Sequence, residues 1–170
     1  MKEGETKYSS NEEIIKTHQI GKDSYPVIFR KVTTRQGSED LPKMNERFKY
    51  AWVESLNLGK FTHCTGANRD TSKENCYCAC GILMELVREY LNEKYHDGKE
   101  YYKWDEEHPG RTPVLFNSKG SIPRDVAGIA GLLDCPVLIT EDDNFNGLIT
   151  LNDDQQMPFK EMAKLIMRSL

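Results

Sequence analysis

The pattern of apolar and polar positions changes period several times along the chain, and each change marks a predicted element. Residues 1 to about 23 carry one short apolar cluster, Ile14 and Ile15, and read as a loosely docked lead-in. The β-branched and aromatic stretch from Pro26 to Thr34 predicts a strand closed by Gly37. From Pro42 the spacing becomes helical. Met44, Phe48, Ala51, Trp52 and Ser55 recur every three or four residues, which predicts a helix over Lys43 to Leu58 stopped by Gly59. "GKFTHC" then reads as a short extended piece before a polar loop.

A second helix is predicted from Asn75, its capping residue, to just before Gly98, with Ile82, Leu83, Leu86, Val87, Tyr90 and Leu91 as its buried stripe. The next stretch shows no clean period and reads as a long surface excursion ending in a strand at Pro113 to Phe116. "SIPRDVAGIAGL" starts another helix, with Ile122, Val126, Ile129 and Leu133 inward. Pro136 to Thr140 and Leu148 to Leu151 predict a hairpin around "DDNFNG". A last helix from near Pro158 buries Phe159, Met162, Ala163 and Ile166. About four helices mixed with short antiparallel strands predict an α+β fold: an N-terminal extension, 1–43, with one strand, and one compact domain, 44–170.

A length of 170 residues suits a single buried core. The net charge of -4 and pI near 5.6 argue against DNA as a partner, because counterion release needs a concentrated basic face. No apolar run is long enough for a bilayer span, and the polar start "MKEGETKYSSNEE" lacks the apolar core of a secretory signal, so a cytoplasmic protein is expected. In that compartment Cys64, Cys76, Cys78, Cys80 and Cys135 are expected as thiols or ligands rather than disulfides. Leu132 to Phe159 contains no Lys or Arg but six carboxylates, a stretch that repels anions or attracts a cation.

Four constellations carry candidate chemistry. Cys76 and Cys78 stand where a helix dipole lowers a thiol pKa, and His63, His96 or His108, oriented by Asp97 or Asp105, would supply the base of a cysteine-dependent hydrolase. Small cysteines filling a slim first helical turn explain the same residues without chemistry, with Gly81 marking a close approach, by the Trp52 helix for instance. For zinc, Cys76 and Cys80 would have to join His63 and Cys64, a spacing unlike paired knuckles. Asp142, Asn144, Asn146 and Asp153 fit positions of a twelve-residue calcium loop, although a strand precedes them and a hairpin turn explains them equally. Finally, Tyr101, Tyr102 and Trp104 offer stacking faces and Lys103 and Arg111 anion contacts, while Asn152 and Asp153 either hold a ligand's polar edge or cap local backbone.

"WVESLNLGKF", "YCACGILMEL", "IPRDVAGIAGL" and "LITLNDDQQMPFKEMAKLI" together resemble a group of small, mostly uncharacterised bacteriophage and prophage proteins. In that group the second stretch looks like Cys-Cys-Leu-Gly-Val-Leu and the last like Leu-Asn-Asp followed by Phe-x-Glu-Ile-Ala. The family's Cys-Cys pair falls on Cys78 and Ala79, and Cys80 stands where Leu is usual, so adjacent-thiol chemistry does not transfer. The resemblance implies an accessory protein of the host-takeover or anti-defence kind in the bacterial cytoplasm. It would bind a host protein or small signalling molecule, with no cofactor and no catalysis.

Overall fold

The computed structural model describes residues 7–8, 14–20, 23–104, 116, 118 and 121–170. Ahead of the helices lies an antiparallel meander rather than a single strand: β1 (Lys7–Tyr8), β2 (Ile14–Ile20), β3 (Asp23–Thr34) and β4 (Gly37–Lys43), paired in that order. The Ile14 segment, expected to be loosely docked, is therefore a strand, paired with β3 from Ile14 opposite Phe29 to Ile20 opposite Asp23. On β3 Val27 and Phe29 are buried while Pro26 and Arg30 are exposed and Ile28 is half-buried, the period-two pattern of a sheet with one inner face.

Pro42 and Lys43 belong to β4, and α1 (Glu46–Asn57) begins only after Asn45, whose side chain accepts a hydrogen bond from Arg47 N at 3.0 Å. Phe48, Trp52 and Leu56 make its buried stripe. A small three-stranded sheet follows, β5 (Thr62–His63), β6 (Arg69–Asp70) and β7 (Cys76–Tyr77), with β7 central, parallel to β5 and antiparallel to β6. Then α2 (Ala79–His96) crosses the core, Ala79 through Met84 buried all round, as expected of a helix start enclosed on every side. Its cap is Cys78 and not Asn75: the sulfur accepts from Gly81 N at 3.3 Å, whereas Asn75, at φ 51°, turns the chain into β7.

After α3 (Arg124–Ile129), β8 (Val137–Ile139) pairs with β9 (Phe145–Gly147), so the returning strand lies three residues earlier than the apolar run Leu148 to Leu151 suggested. That run is instead helical in spacing: Leu148, Leu151 and Asn152 turn inward, Ile149 outward, and a π-helical turn occupies Thr150–Asp154. Finally α4 (Phe159–Ser169) buries Met162, Ala163, Leu165, Ile166 and Ser169 and packs on α1 and β8. The arrangement is a mixed α+β domain. The predicted strand from Pro113 falls almost wholly outside the described residues, Phe116 being a buried core residue without strand pairing.

Two disulfides correct the expectation of free thiols. Cys64 is bonded to Cys76, tying β7 to the residue after β5, and Cys80 to Cys135, tying the start of α2 to the approach to β8; their Cα atoms lie 5.6 and 6.6 Å apart. The physical cause is convergence that sequence separations of 12 and 55 residues do not reveal. Cys78 alone keeps its thiol. No helix among the described residues is long and apolar enough to cross a membrane.

Candidate functional site

The N-terminal end of α2 meets the π-helical turn and the loop before β6 around one side chain, Asn152. Its Oδ1 accepts from Ala79 N at 3.1 Å and faces His63 Nε2 at 2.9 Å, while Nδ2 donates to Cys64 O at 2.9 Å and to Asp153 Oδ1 at 2.6 Å. Only 2% of Asn152 is exposed, so these bonds satisfy a buried amide and a buried helix-end N–H that would otherwise lack partners.

Beside it opens a cleft of about 220 Å³ lined by Asn68, Cys78, Cys80, Leu148, Ile149, Asn152 and Asp153, with Gly66 and Ala67 at the rim loop. One wall is apolar, with Leu148 buried and Ile149 48% exposed; the other presents the thiol and three polar side chains. Asn68 holds the helix end from its loop. Its carbonyl accepts from Cys78 N at 3.1 Å and its Oδ1 from the Cys78 thiol at 3.5 Å. Gly81 is what permits this approach: a Cβ there would sit 1.7 Å from the Asn68 carbonyl oxygen. The close neighbour is thus the Asn68 loop and not α1, whose Trp52 instead donates from Nε1 to Ala79 O at 2.9 Å.

Burial pushes the Cys78 thiol up to about 11, against the opposing pull of the Gly81 N–H, so at neutral pH it is a protonated thiol and not a thiolate. His63 lies on the far side of Asn152, its ring 4.5 Å from that of Phe159, and Cys78 reaches it through the Asn152 and Ala79 amides rather than by a hydrogen bond of its own. Cys76 is consumed in a disulfide. His96 and Asp97 stand at the opposite end of α2, about 27 Å from Cys78 at the rise of an α-helix. His108, Asp105 and Arg111 lie outside the described residues.

The aromatic segment is divided between surface and core. Tyr101 is exposed and stacked on His96 at 4.0 Å; Tyr102 is buried; and Trp104, half-buried, donates from Nε1 to Glu85 at 2.5 Å. Glu85 also takes two hydrogen bonds from Arg88, at 2.6 and 3.0 Å, and Arg88 donates to Tyr102 O at 3.1 Å. Burial disfavours the Glu85 carboxylate, yet Arg88 and Trp104 hold it below its ordinary pKa. Tyr102 and Trp104 therefore anchor the segment to α2.

The residues of the calcium-loop pattern face two different clefts. Asp142 accepts from Thr140 Oγ1 at 2.5 Å and from Asn144 Nδ2 at 2.7 Å, closing the β8–β9 turn, and Asn146 sits opposite Leu138 in β9. These line a hollow against α4, whereas Asp153 lines the Cys78 cleft. Of the zinc set, Cys64 and Cys76 come together, while Cys80 is drawn away to Cys135. Asn68 and Ile149, both in the cleft, carried no signal in the sequence; Gly81, the residue that admits Asn68, was legible as a glycine inside a helix.

No curated protein and no solved structure matches the chain. One family model does match, that of a domain of unknown function (DUF8296), beginning at the residue after β4. With residues 44–170 matched, the chain belongs to this family.

Proposed function

We propose that the chain is a phage-type accessory protein, of the host-takeover or anti-defence kind, that works in the bacterial cytoplasm, where its cysteine pairs are open to reduction, by binding rather than by catalysis. Its site is the Cys78–Asn152–Asp153 cleft. The observation that carries this reading is the bond from Ala79 N to Asn152 Oδ1, which joins two of the stretches that resemble the phage proteins, "YCACGILMEL" and "LITLNDDQQMPFKEMAKLI", at one cleft. Structure alone needs the Asn152 amide there; it does not need an open hollow beside it.

The volume fits a part of a ligand better than a whole one, since pockets that enclose drug-sized molecules run to about 300–1,000 Å³. The occupant is then one side chain of a bacterial protein, or one group of a small signalling molecule. Leu148 and Ile149 suit an apolar stem, and Asp153 suits a hydrogen-bond donor such as an amine or amide at its tip. A direct test is the melting temperature of the purified protein with and without a protein-free extract of bacterial cells, and separately with the cells' protein fraction. Binding raises it. Ile149→Trp, which fills the cleft from its exposed wall, is expected to abolish that rise; an equal rise in the variant removes the cleft from the proposal.

A second reading, a cysteine-dependent hydrolase, is favoured by the free thiol at the α2 N-terminus. Against it stand the raised Cys78 pKa and a His63 held by Asn152. Rapid alkylation of Cys78 at neutral pH would favour the enzyme, and slow alkylation the binding protein.

A further inference from the structure

The small sheet beside the cleft brings Cys64 and Cys76, two members of the expected zinc set, together with Asp70, which no pattern in the sequence joins to them. Asp70 on β6 lies directly opposite Cys76 on β7, and Cys64 follows β5 on the other side, its N–H donating to Tyr77 O at 2.9 Å. One sulfur from each cysteine and a carboxylate oxygen of Asp70 all lie within 4.8 Å of one another. In tetrahedral zinc, with metal–ligand bonds of about 2.0–2.3 Å, neighbouring ligand atoms sit about 3.5–3.8 Å apart.

We infer that in the reduced protein Cys64, Asp70 and Cys76 form a binding site for a divalent cation of the zinc type, with the fourth position open to water. The chemistry of the donors selects the metal: two thiolates and one carboxylate favour zinc over calcium or magnesium. Both cysteines are buried, so the metal would be shielded on the thiolate side. Asp70 is already fixed for the role. Its Oδ1 accepts from Ser72 N and Ser72 Oγ at 3.1 and 2.6 Å, which fixes the carboxylate's orientation. Oδ2 faces only a loose ion pair with Lys73 at 3.4 Å, which an incoming cation displaces. His63 is not a fourth ligand, because it is turned to Asn152.

The disulfide and the metal are alternative states of one pair. Two molecules of a low-molecular-weight thiol such as glutathione deliver two electrons and two protons to the Cys64–Cys76 bond, giving two thiols and one oxidised glutathione. The cation then binds as the two protons leave to solvent. Either state clips together three two-residue strands that have almost no core of their own. Through them it fixes Asn68 at the cleft and His63 behind Asn152.

The test is metal content of the full chain, expressed in bacteria and purified with a non-chelating phosphine reductant and no chelator, read by plasma mass spectrometry. About one zinc per chain is expected in the reduced protein, and none after oxidation. Titration with Co²⁺ should give the near-ultraviolet thiolate-to-cobalt band. Asp70→Asn keeps both thiols and the fold of the turn, and is expected to weaken Co²⁺ binding by at least about tenfold. Cys76→Ser is expected to abolish the thiolate band's two-sulfur intensity; should that variant not fold, Asp70→Asn alone decides. A reduced protein that carries no zinc and gives no cobalt band overturns the inference, as does undiminished affinity in Asp70→Asn. These readouts do not depend on what the neighbouring cleft binds.

Discussion

Replacing Gly81 by alanine sets two effects against each other. In an isolated helix the change is favourable by about 1 kcal/mol, because alanine loses less backbone entropy than glycine. Here the new methyl would lie 1.7 Å from the Asn68 carbonyl oxygen and 2.6 Å from its carbonyl carbon, and both are backbone atoms that no rotamer change can move aside. The loop must retreat by well over 1 Å. That retreat breaks the bond from Cys78 N to Asn68 O and leaves a helix-end N–H buried without its partner, at a cost of about 1–3 kcal/mol. Overpacking adds about 1–3 kcal/mol. Net of the helical gain, Gly81→Ala destabilises by about 3 kcal/mol, which for a chain of this size lowers the melting temperature by about 6–12 °C. Urea titration with calorimetry measures it. A variant as stable as the parent, or more so, would refute the assigned contact between the Asn68 loop and the helix start.

Asn152→Ala strands Ala79 N–H and Cys64 C=O and should cost about 2–5 kcal/mol; Asn152→Asp places a second carboxylate against Asp153, so its penalty by urea titration should be larger at pH 7 than at pH 4. The Cys78 thiol, raised from 9.0 to about 11, stays protonated in the fold after it has ionised in the unfolded chain. The unfolded state then binds fewer protons, and the stability difference between parent and Cys78→Ala should decline from pH 9 through pH 11; a flat difference contradicts the burial of the thiol. Arg88→Met leaves Glu85 buried beside Trp104 without its cation and should cost about 3–5 kcal/mol in the same titration, a loss that Glu85→Gln in the same chain partly restores.

Helix and strand types were readable wherever one face is buried and the other wet. The stripe of α1 and the spacing of α4 set Phe48 and Trp52, and Met162 and Ile166, inward as their periods require. Failures occurred where that contrast vanishes. The run Leu148 to Leu151 is apolar at both periods, and its helical course follows from Leu151 and Asn152 docking under α2. At the α2 start every residue is buried, so periodicity cannot place the boundary, and a sulfur cap is too uncommon a device for the usual capping residues to reveal. Asn152 and Asp153 were visible as candidates, because polar residues between an apolar run and a helix must either cap or bind. Asn68 was not, since its role depends on a loop brought across β7 by pairings of only two residues each. Cysteine pairings were hidden for the same reason: they express tertiary convergence, which local pattern does not encode.

The most direct measurement of the binding cleft is native mass spectrometry of the protein recovered from bacterial cells, beside Ile149→Trp prepared in the same way. An additional organic or protein mass on the parent, absent from Ile149→Trp while both retain the same metal content, is the predicted result. A parent of bare polypeptide mass, or an identical adduct on both proteins, would contradict a ligand held between Cys78, Asn152 and Asp153.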